Sequence, residues 1–155
     1  MAIRYQPTYP PANTVVSGMV SAAHYQLSPD LAVEVWRAGE VIKALIFDAK
    51  YRTMPDGASQ TYLEEDVTKM DHYFNTIRWK PQNPRQRLQR VVSSAYILYP
   101  GDVLEHDADE PEIGALPWIP GLNLPSTSVK GMRHLLEWMG LLGSHLLTSP
   151  DGRHS

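Results

Sequence analysis

The chain has 155 residues, of which 43% are hydrophobic and 20% charged, and its formal net charge is −3 at pH 7. This size and composition predict a single globular domain over residues 1–155 with a buried core. The sequence contains no cysteine, which excludes disulfides and cysteine-based zinc sites. It has neither an apolar run near the ~18 residues of a membrane span nor the apolar core of a signal peptide, so we expect a cytoplasmic protein without a membrane partner.

The first part of the chain predicts an irregular segment followed by strands. Residues 1–13 are rich in proline and predict irregular structure, and residues 15–27 predict one extended strand. The apolar runs 31–36 and 41–47 are typical of two strands, and the short connection between them, residues 37–40, contains a glycine. This pattern predicts an antiparallel β-hairpin.

Two carboxylates fall at the same end of the predicted hairpin. Asp30 directly precedes its first strand and Asp48 directly follows the second. Because residues two apart in a strand point to the same face, Asp48 and Lys50 project together. Two carboxylates and a lysine at adjoining strand ends are suited to holding a divalent metal and activating a water for phosphodiester hydrolysis. The alternative is a chance motif, with a solvated Asp48–Lys50 ion pair and a turn at Asp30.

Residues 63–78 give the clearest helical pattern in the chain. Apolar side chains recur along one stripe, and three acids occupy the first turns, where the helix dipole favours them. Lys69 and Tyr73 are four residues apart, so they share a face beside the stripe. Pro81 prevents the helix from continuing.

The later elements complete a mixed α/β pattern. Residues 91–99 are β-branched and aromatic, which predicts a buried strand. Residues 113–119 contain a proline and predict a short edge strand, and residues 126–147 predict a second helix. The order of these elements predicts a mixed central sheet with flanking helices on at least one face.

Charge is unevenly distributed along the second half of the chain. Residues 102–112 contain six acids without Lys or Arg, which would repel DNA. Residues 78–90 carry five cations without an acid, and such a segment is suited to contact a phosphate backbone. A solvated linker is the alternative interpretation. The candidate nucleic-acid-binding residues are Arg78, Lys80, Arg85, Arg87 and Arg90.

These motifs resemble the PD-(D/E)XK nuclease superfamily. In that superfamily a metal-binding Asp on one strand is followed by (D/E)-x-K on the next, then by a helix and a further strand. Pro29-Asp30 is similar to the first element, and Asp48-Ala49-Lys50 is similar to the second. More narrowly, the chain resembles the C-terminal nuclease domains of proteins related to the nuclease subunit of McrBC-type restriction systems. That similarity runs from about residue 24 to residue 121, on segments 48–52, 65–73, 96–101, 113–117 and 120–121.

The resemblance implies a restriction-endonuclease-like core and a role for each site residue. Asp30 and Asp48 would bind Mg²⁺ or Mn²⁺, and Lys50 would orient or deprotonate the attacking water or stabilise developing charge. Lys69 and Tyr73 stand where related nucleases carry Gln-x-x-x-Tyr, so they are further catalytic candidates. For Lys69 the alternative is a structural salt bridge, and for Tyr73 it is core packing.

The resemblance also implies partners, and it leaves one departure. DNA would be the substrate, an NTPase motor subunit of the same system a further partner, and a homodimer an expected assembly. Many members of the superfamily carry an acid on a helix before the first catalytic strand, and no such helix or acid precedes Asp30 here. Related proteins are usually much longer, so the chain resembles their catalytic module alone.

Three interpretations follow from the sequence. The first is a metal-dependent DNA endonuclease domain of a restriction or phage-defence system. The second is a catalytically idle member that keeps the fold and serves in nucleic-acid binding or as a scaffold. The third is an unrelated α/β protein in which Asp48-Ala49-Lys50 arose by chance. The retention of Asp30, Asp48 and Lys50 together favours the first.

Overall fold

The computed structural model of the chain describes residues 1–50, 64–100, 105–106 and 112–118. Residues 51–63, most of the acidic segment and the helix predicted over 126–147 lie outside these residues. Ten elements are described, in the order β1 (Ala2–Tyr5), β2 (Gly18–Ser21), β3 (Leu31–Arg37), β4 (Glu40–Ala49), α1 (Glu64–Thr76), β5 (Ile77–Lys80), β6 (Gln89–Arg90), β7 (Val92–Tyr99), β8 (Glu105–His106) and β9 (Ile113–Pro117).

A six-stranded mixed sheet forms the centre of the fold. Its strand order is β1-β3-β4-β7-β9-β8. Strands β4, β7 and β9 run parallel to one another, whereas β1, β3 and β8 pair antiparallel with their neighbours. The mixed sheet confirms the predicted α/β architecture. Of the predicted flanking helices, α1 is the one that falls within the described residues.

The β3–β4 hairpin confirms the prediction on which the site depends. Ala38 and Gly39 both have positive φ, 50° and 83°, which is the backbone of a tight two-residue turn of type I′. The hairpin register pairs Leu31 with Phe47. Asp30 and Asp48, one residue beyond that pair, are therefore neighbours at the end of the hairpin away from the turn.

Apolar side chains are buried on both faces of the central sheet. Ala44 and Ile46 of β4 lie in the cluster that includes Met70 and Phe74 of α1. The alternate residues of β4 face the other way, and their cluster consists of Leu45, Phe47, Tyr96, Leu98 and Leu116. Because side chains alternate along a strand, Asp48 continues the face of Ala44 and Ile46 and so points toward α1.

A second, three-stranded sheet of order β2-β5-β6 corrects the predicted extent of the helix. The helical stripe predicts a helix to residue 78, but α1 ends at Thr76 and Ile77 begins β5. Ile77 is fully buried and pairs with Ser21 of β2. The helical pattern is local and carries no information about β2, which lies far away in the sequence. Pairing with β2 makes Ile77 part of a strand, although its spacing fits the apolar stripe of the helix.

The N-terminal predictions are wrong in part. Residues 2–5, within the segment predicted to be irregular, form β1 and pair with residues 31–34 of β3. Of the strand predicted over 15–27, the four residues of β2 are a strand, because they alone in that range pair with β5. In the segment between β1 and β3, Tyr9 and Leu27 pair in an isolated antiparallel β-bridge.

The predicted edge strand is an interior one. Strand β9 pairs with β7 on one side and with β8 on the other, so the expectation for residues 113–119 is wrong in position. Pro117 is tolerated because it is the last residue of the strand, opposite Tyr99. Within the described ranges, no helix has both the length and the apolar character needed to cross a membrane.

Candidate active site

Asp48 is a buried carboxylate in contact with two lysines. It lies at the end of β4 and is 1% exposed. The Nζ atom of Lys50 is 2.6 Å from its Oδ2 atom. The Nζ atom of Lys69, on α1, is 2.9 Å from Oδ1 and 3.1 Å from Oδ2. A carboxylate this deeply buried requires such charged partners, because desolvation is costly without them. The solvated surface ion pair that was the alternative for Asp48 is therefore wrong.

Lys50 lies between two buried carboxylates. Beyond its contact with Asp48, its Nζ atom is 3.9 Å from Oδ1 of Asp66, and its side chain is 18% exposed. Asp66 was not among the predicted site residues, because an acid in the first turn of a helix is expected from the helix dipole alone. The available signal was spacing, since Asp66 and Lys69 are three residues apart and share a helix face.

Asp30 is fixed to the neighbouring strand by a backbone hydrogen bond. Its Oδ2 atom accepts the N–H of Ala49 at 2.7 Å. The bond holds the first carboxylate against the end of β4, beside Asp48. The hairpin therefore places these two residues at the same strand end.

Tyr73 links α1 to the segment that carries Asp30. Its hydroxyl donates to the carbonyl of Ser28 at 3.3 Å, and Nζ of Lys69 lies 5.3 Å from its ring centroid. The predicted shared face of Lys69 and Tyr73 is confirmed by this contact. Burial, followed by the charges of Asp48 and Asp30, raises the pKa of Tyr73 well above its usual range. Tyr73 is also part of the buried core, so packing and the contact with Ser28 coexist.

The donor set is suited to a hard divalent cation. Asp30 and Asp48 offer carboxylate oxygens, the ligand type that Mg²⁺ and Mn²⁺ prefer. The ammonium of Lys69 already occupies the position between the two Asp48 oxygens, which shows that a cation fits there. Within the described part of the chain, no group of three or more His, Asp or Glu side chains is placed so that it could hold a metal ion. Asp30 and Asp48 would thus hold the ion with water or substrate oxygens completing its shell.

Three of the five predicted DNA-binding cations are engaged within the fold. Arg78 donates to the carbonyls of Phe74, Asn75 and Ile77 at the end of α1. Lys80 donates to two backbone carbonyls of the N-terminal segment, and Arg90 lies over the Phe74 ring, 4.2 Å from its centroid. Arg85 and Arg87 are exposed. Arg78, Lys80 and Arg90 thus make contacts within the fold, and their charge alone did not predict these contacts.

The basic segment also enters the central sheet far from the carboxylates. Arg90 precedes Val92, which pairs with Ala44 near the start of the parallel ladder, whereas Asp48 pairs with Ile97. Val92 and Ile97 are five positions apart along the strand, a distance of about 16 Å at ~3.3 Å per residue. The Arg90 end of the segment therefore lies away from Asp48, and its middle, at Asn83 and Gln86, lines a cavity with Gly39 of the hairpin turn.

The comparisons with known proteins agree with this geometry. The sequence model of the PD-(D/E)XK nuclease superfamily matches residues 1–103, which include the carboxylate–lysine cluster of Asp30, Asp48, Lys50, Asp66 and Lys69. Searches of the curated proteins and of the solved structures gave no match. The match covers about two thirds of the chain, and the chain belongs to the PD-(D/E)XK nuclease superfamily.

Proposed function

We propose that the chain is a metal-dependent DNA endonuclease, the catalytic module of a restriction or phage-defence system. The observation that carries this proposal is the contact of Lys50 with buried Asp48 at 2.6 Å, beside Asp30. An isolated structural ion pair does not require a second carboxylate at the same strand end. Membership of a nuclease superfamily supports phosphodiester hydrolysis as the reaction.

The proposed roles follow from the positions of the side chains. Asp30 and Asp48 would hold Mg²⁺ or Mn²⁺, which when bound polarises the phosphoryl group and lowers the pKa of a water. Lys50, partly exposed beside Asp48, would orient the attacking water or stabilise charge on the phosphoryl oxygens. Tyr73 is a positioning residue, because its hydroxyl binds the carbonyl of Ser28, two residues before Asp30.

DNA as the substrate and a motor NTPase as partner are parts of the same proposal. The resemblance to nuclease domains of McrBC-type systems supports both. Arg85 and Arg87 are exposed cations suited to contact a phosphate backbone without reading sequence. Because they lie away from Asp48, they would contact the duplex at a distance from the scissile bond.

A second candidate function is a catalytically idle module that binds nucleic acid or serves as a scaffold. The observation that favours it is the position of Lys69, whose ammonium contacts both oxygens of Asp48. In this alternative the cluster is a structural ion-pair network, and no metal enters. The two candidates differ in one measurable property, which is hydrolysis in the presence of a divalent metal.

The experiment compares covalently closed circular DNA, circular single-stranded DNA and a structured RNA as substrates. Each is incubated with the protein in Mg²⁺, in Mn²⁺ and in EDTA. We expect nicking or linearisation of closed circular DNA that EDTA abolishes, which identifies an endonuclease because a circle has no ends. Cleavage restricted to RNA would overturn DNA as the substrate. Persistence of all three substrates in both metals would favour the idle module.

A further inference from the structure

Lys69 occupies the position on Asp48 that the proposed function assigns to a metal ion. Its Nζ atom donates to both carboxylate oxygens, at 2.9 and 3.1 Å. Lys50 contacts the same carboxylate at Oδ2, at 2.6 Å. Lys69 is the cation for which contacts to both oxygens are seen, so it lies between them.

A divalent ion and the Lys69 ammonium cannot share this position. A metal binds carboxylate oxygens more closely than an ammonium does, and the two positive charges repel each other at short range. The lone pairs of Asp48 that accept from Lys69 are the ones an ion between the two oxygens would use. Metal binding at Asp48 consequently requires Lys69 to leave, at the cost of a charge-assisted contact.

The surroundings allow Lys69 to leave without disturbing the fold. Its side chain is 40% exposed, compared with 18% for Lys50. It is anchored on α1, and the Tyr73 ring lies 5.3 Å from its ammonium. The displaced side chain remains tethered next to the site, where an anionic phosphodiester would attract it.

We propose that Lys69 is a tethered counter-cation that keeps the metal position of Asp48 filled until a phosphodiester draws it away. The proposal rests on the proposed function and concerns the regulation of the same site. It makes metal binding and nucleic-acid binding mutually reinforcing, because each favours the arrangement with Lys69 off Asp48. Such coupling is reciprocal and typically changes affinity by about 5- to 150-fold.

The first arm of the test measures Mn²⁺ affinity without nucleic acid, by electron paramagnetic resonance of free Mn²⁺. Lys69→Met removes the charge and keeps much of the side-chain volume, and Lys69→Arg keeps the charge. Arg37→Gln is the matched control, since it removes one exposed positive charge at the hairpin turn, away from Asp48. We expect Lys69→Met to bind Mn²⁺ about tenfold or more tightly than the wild type, with Lys69→Arg and Arg37→Gln close to the wild type.

The second arm measures the coupling, in the Lys50→Met background so that cleavage does not consume the probe. A short phosphodiester duplex should tighten Mn²⁺ binding to this protein by about 5-fold or more. A methylphosphonate duplex, which has the same shape without backbone charge, should not. The gain should vanish when Lys69→Met is added, because no competing ammonium is left to be drawn away.

The outcomes separate this proposal from the proposed function. Equal or weaker Mn²⁺ binding by a folded Lys69→Met protein would overturn the role of Lys69 and leave the metal site standing. Unchanged Mn²⁺ affinity in the presence of the phosphodiester duplex would overturn the coupling. Absence of Mn²⁺ binding in every variant would overturn the metal site itself, and the role of Lys69 with it. Far-ultraviolet circular dichroism and melting curves establish that each variant is folded.

Discussion

Asp48 contacts side chains from separate parts of the fold. The carboxylate belongs to β4, and its two ammonium partners come from the segment after β4 and from α1. Asp66 adds a second buried acid on the far side of Lys50. Asp48 and Asp66 are buried, and an ammonium beside buried groups stabilises a developing negative charge more effectively than one in bulk water.

Replacing Lys50 with Met should remove activity and leave the fold in place. Asp48 keeps Lys69 as its counter-ion, so we expect the free energy of unfolding to fall by no more than about 1.5–3 kcal/mol, the range for hydrogen bonds to a charged group. The rate of cleavage should fall by about 10²- to 10⁴-fold, because the group beside the reacting phosphate is lost. Urea unfolding and initial rates of plasmid cleavage measure the two effects. Cleavage at the wild-type rate by a folded Lys50→Met protein would refute the role given to Lys50.

At this scale the sequence predicts positions better than partners. Asp30, Asp48 and Lys50 are found from strand ends and alternation, because those rules are local. The contact of Lys69 with Asp48 spans 21 residues and depends on where α1 packs. Spacing within the helix indicates which side chains share a face, but it does not indicate which strand that face meets.

Among the elements, the β3–β4 hairpin sets the geometry of the site. Its turn fixes the register, and the register brings Asp30 beside Asp48. The hairpin is predictable because its two strands pair with each other and are joined by a short connection, so all of its parts are adjacent in sequence. Strand β5 is the opposite case, because its residues continue the helical pattern of α1 and become a strand through pairing with β2, more than 50 residues earlier.

The turn itself yields a prediction about stability. Ala38 has a φ of 50°, a conformation that costs a residue with a side chain roughly 1 kcal/mol and that Asn tolerates better. Ala38→Asn creates the Asn-Gly pair that type I′ turns prefer, so we expect an increase of about 0.5–1 kcal/mol in the free energy of unfolding. Gly39→Ala should act in the opposite direction. Urea midpoints that move the other way would contradict the turn assignment.

Lys80 should affect stability although it lies in the predicted DNA-binding segment. Its ammonium donates to the carbonyls of Ala12 and Val15, at 2.6 and 2.7 Å, and so anchors the N-terminal segment to β5. Lys80→Met should lower the free energy of unfolding by about 1.5–3 kcal/mol, the range for hydrogen bonds to a charged group. Arg87→Gln, an exposed control in the same segment, should stay within about 0.5 kcal/mol. Similar urea midpoints for the two variants would show that Lys80 does not anchor that segment.

For the whole molecule, buried tyrosines predict a loss of stability at high pH. Burial raises the pKa of Tyr96 to about 12 and raises the pKa of Tyr9 and Tyr73 further. Because these folded-state pKa values exceed the unfolded value near ~10, the stability they contribute is complete below that pH and is lost as pH rises above it. Above this pH, each tyrosine adds up to about 1.4 kcal/mol per pH unit to the decrease in the free energy of unfolding.

Alkaline unfolding followed by circular dichroism and by tyrosinate absorbance measures this effect. The tyrosinate signal of Tyr9, Tyr73 and Tyr96 should appear together with unfolding. Tyr96→Phe should make the decline in stability above pH ~10 shallower than in the wild type. Full tyrosine ionisation in a protein that keeps its circular dichroism spectrum would contradict the burial of these side chains.

The sequence also predicted much of the whole architecture. Family membership, a mixed sheet and one helix over the site follow from motifs and periodicity, because each of these elements has a recognisable local pattern in the sequence. The second sheet does not follow, since β2 and β6 are short and carry no strong alternation of their own. They form because β5 lies between them.

The most direct test of the central claim is the Mg²⁺ dependence of DNA cleavage in wild type, Asp48→Asn and Arg37→Gln proteins. Asp48→Asn keeps the shape of the side chain and removes its charge, whereas Arg37→Gln changes one charge at the opposite end of the hairpin. We predict that wild type and Arg37→Gln cleave closed circular DNA with the same saturable dependence on Mg²⁺. Asp48→Asn should fold and remain inactive at every Mg²⁺ concentration. Mg²⁺-dependent cleavage by Asp48→Asn at the wild-type rate would contradict an active centre at the end of β4.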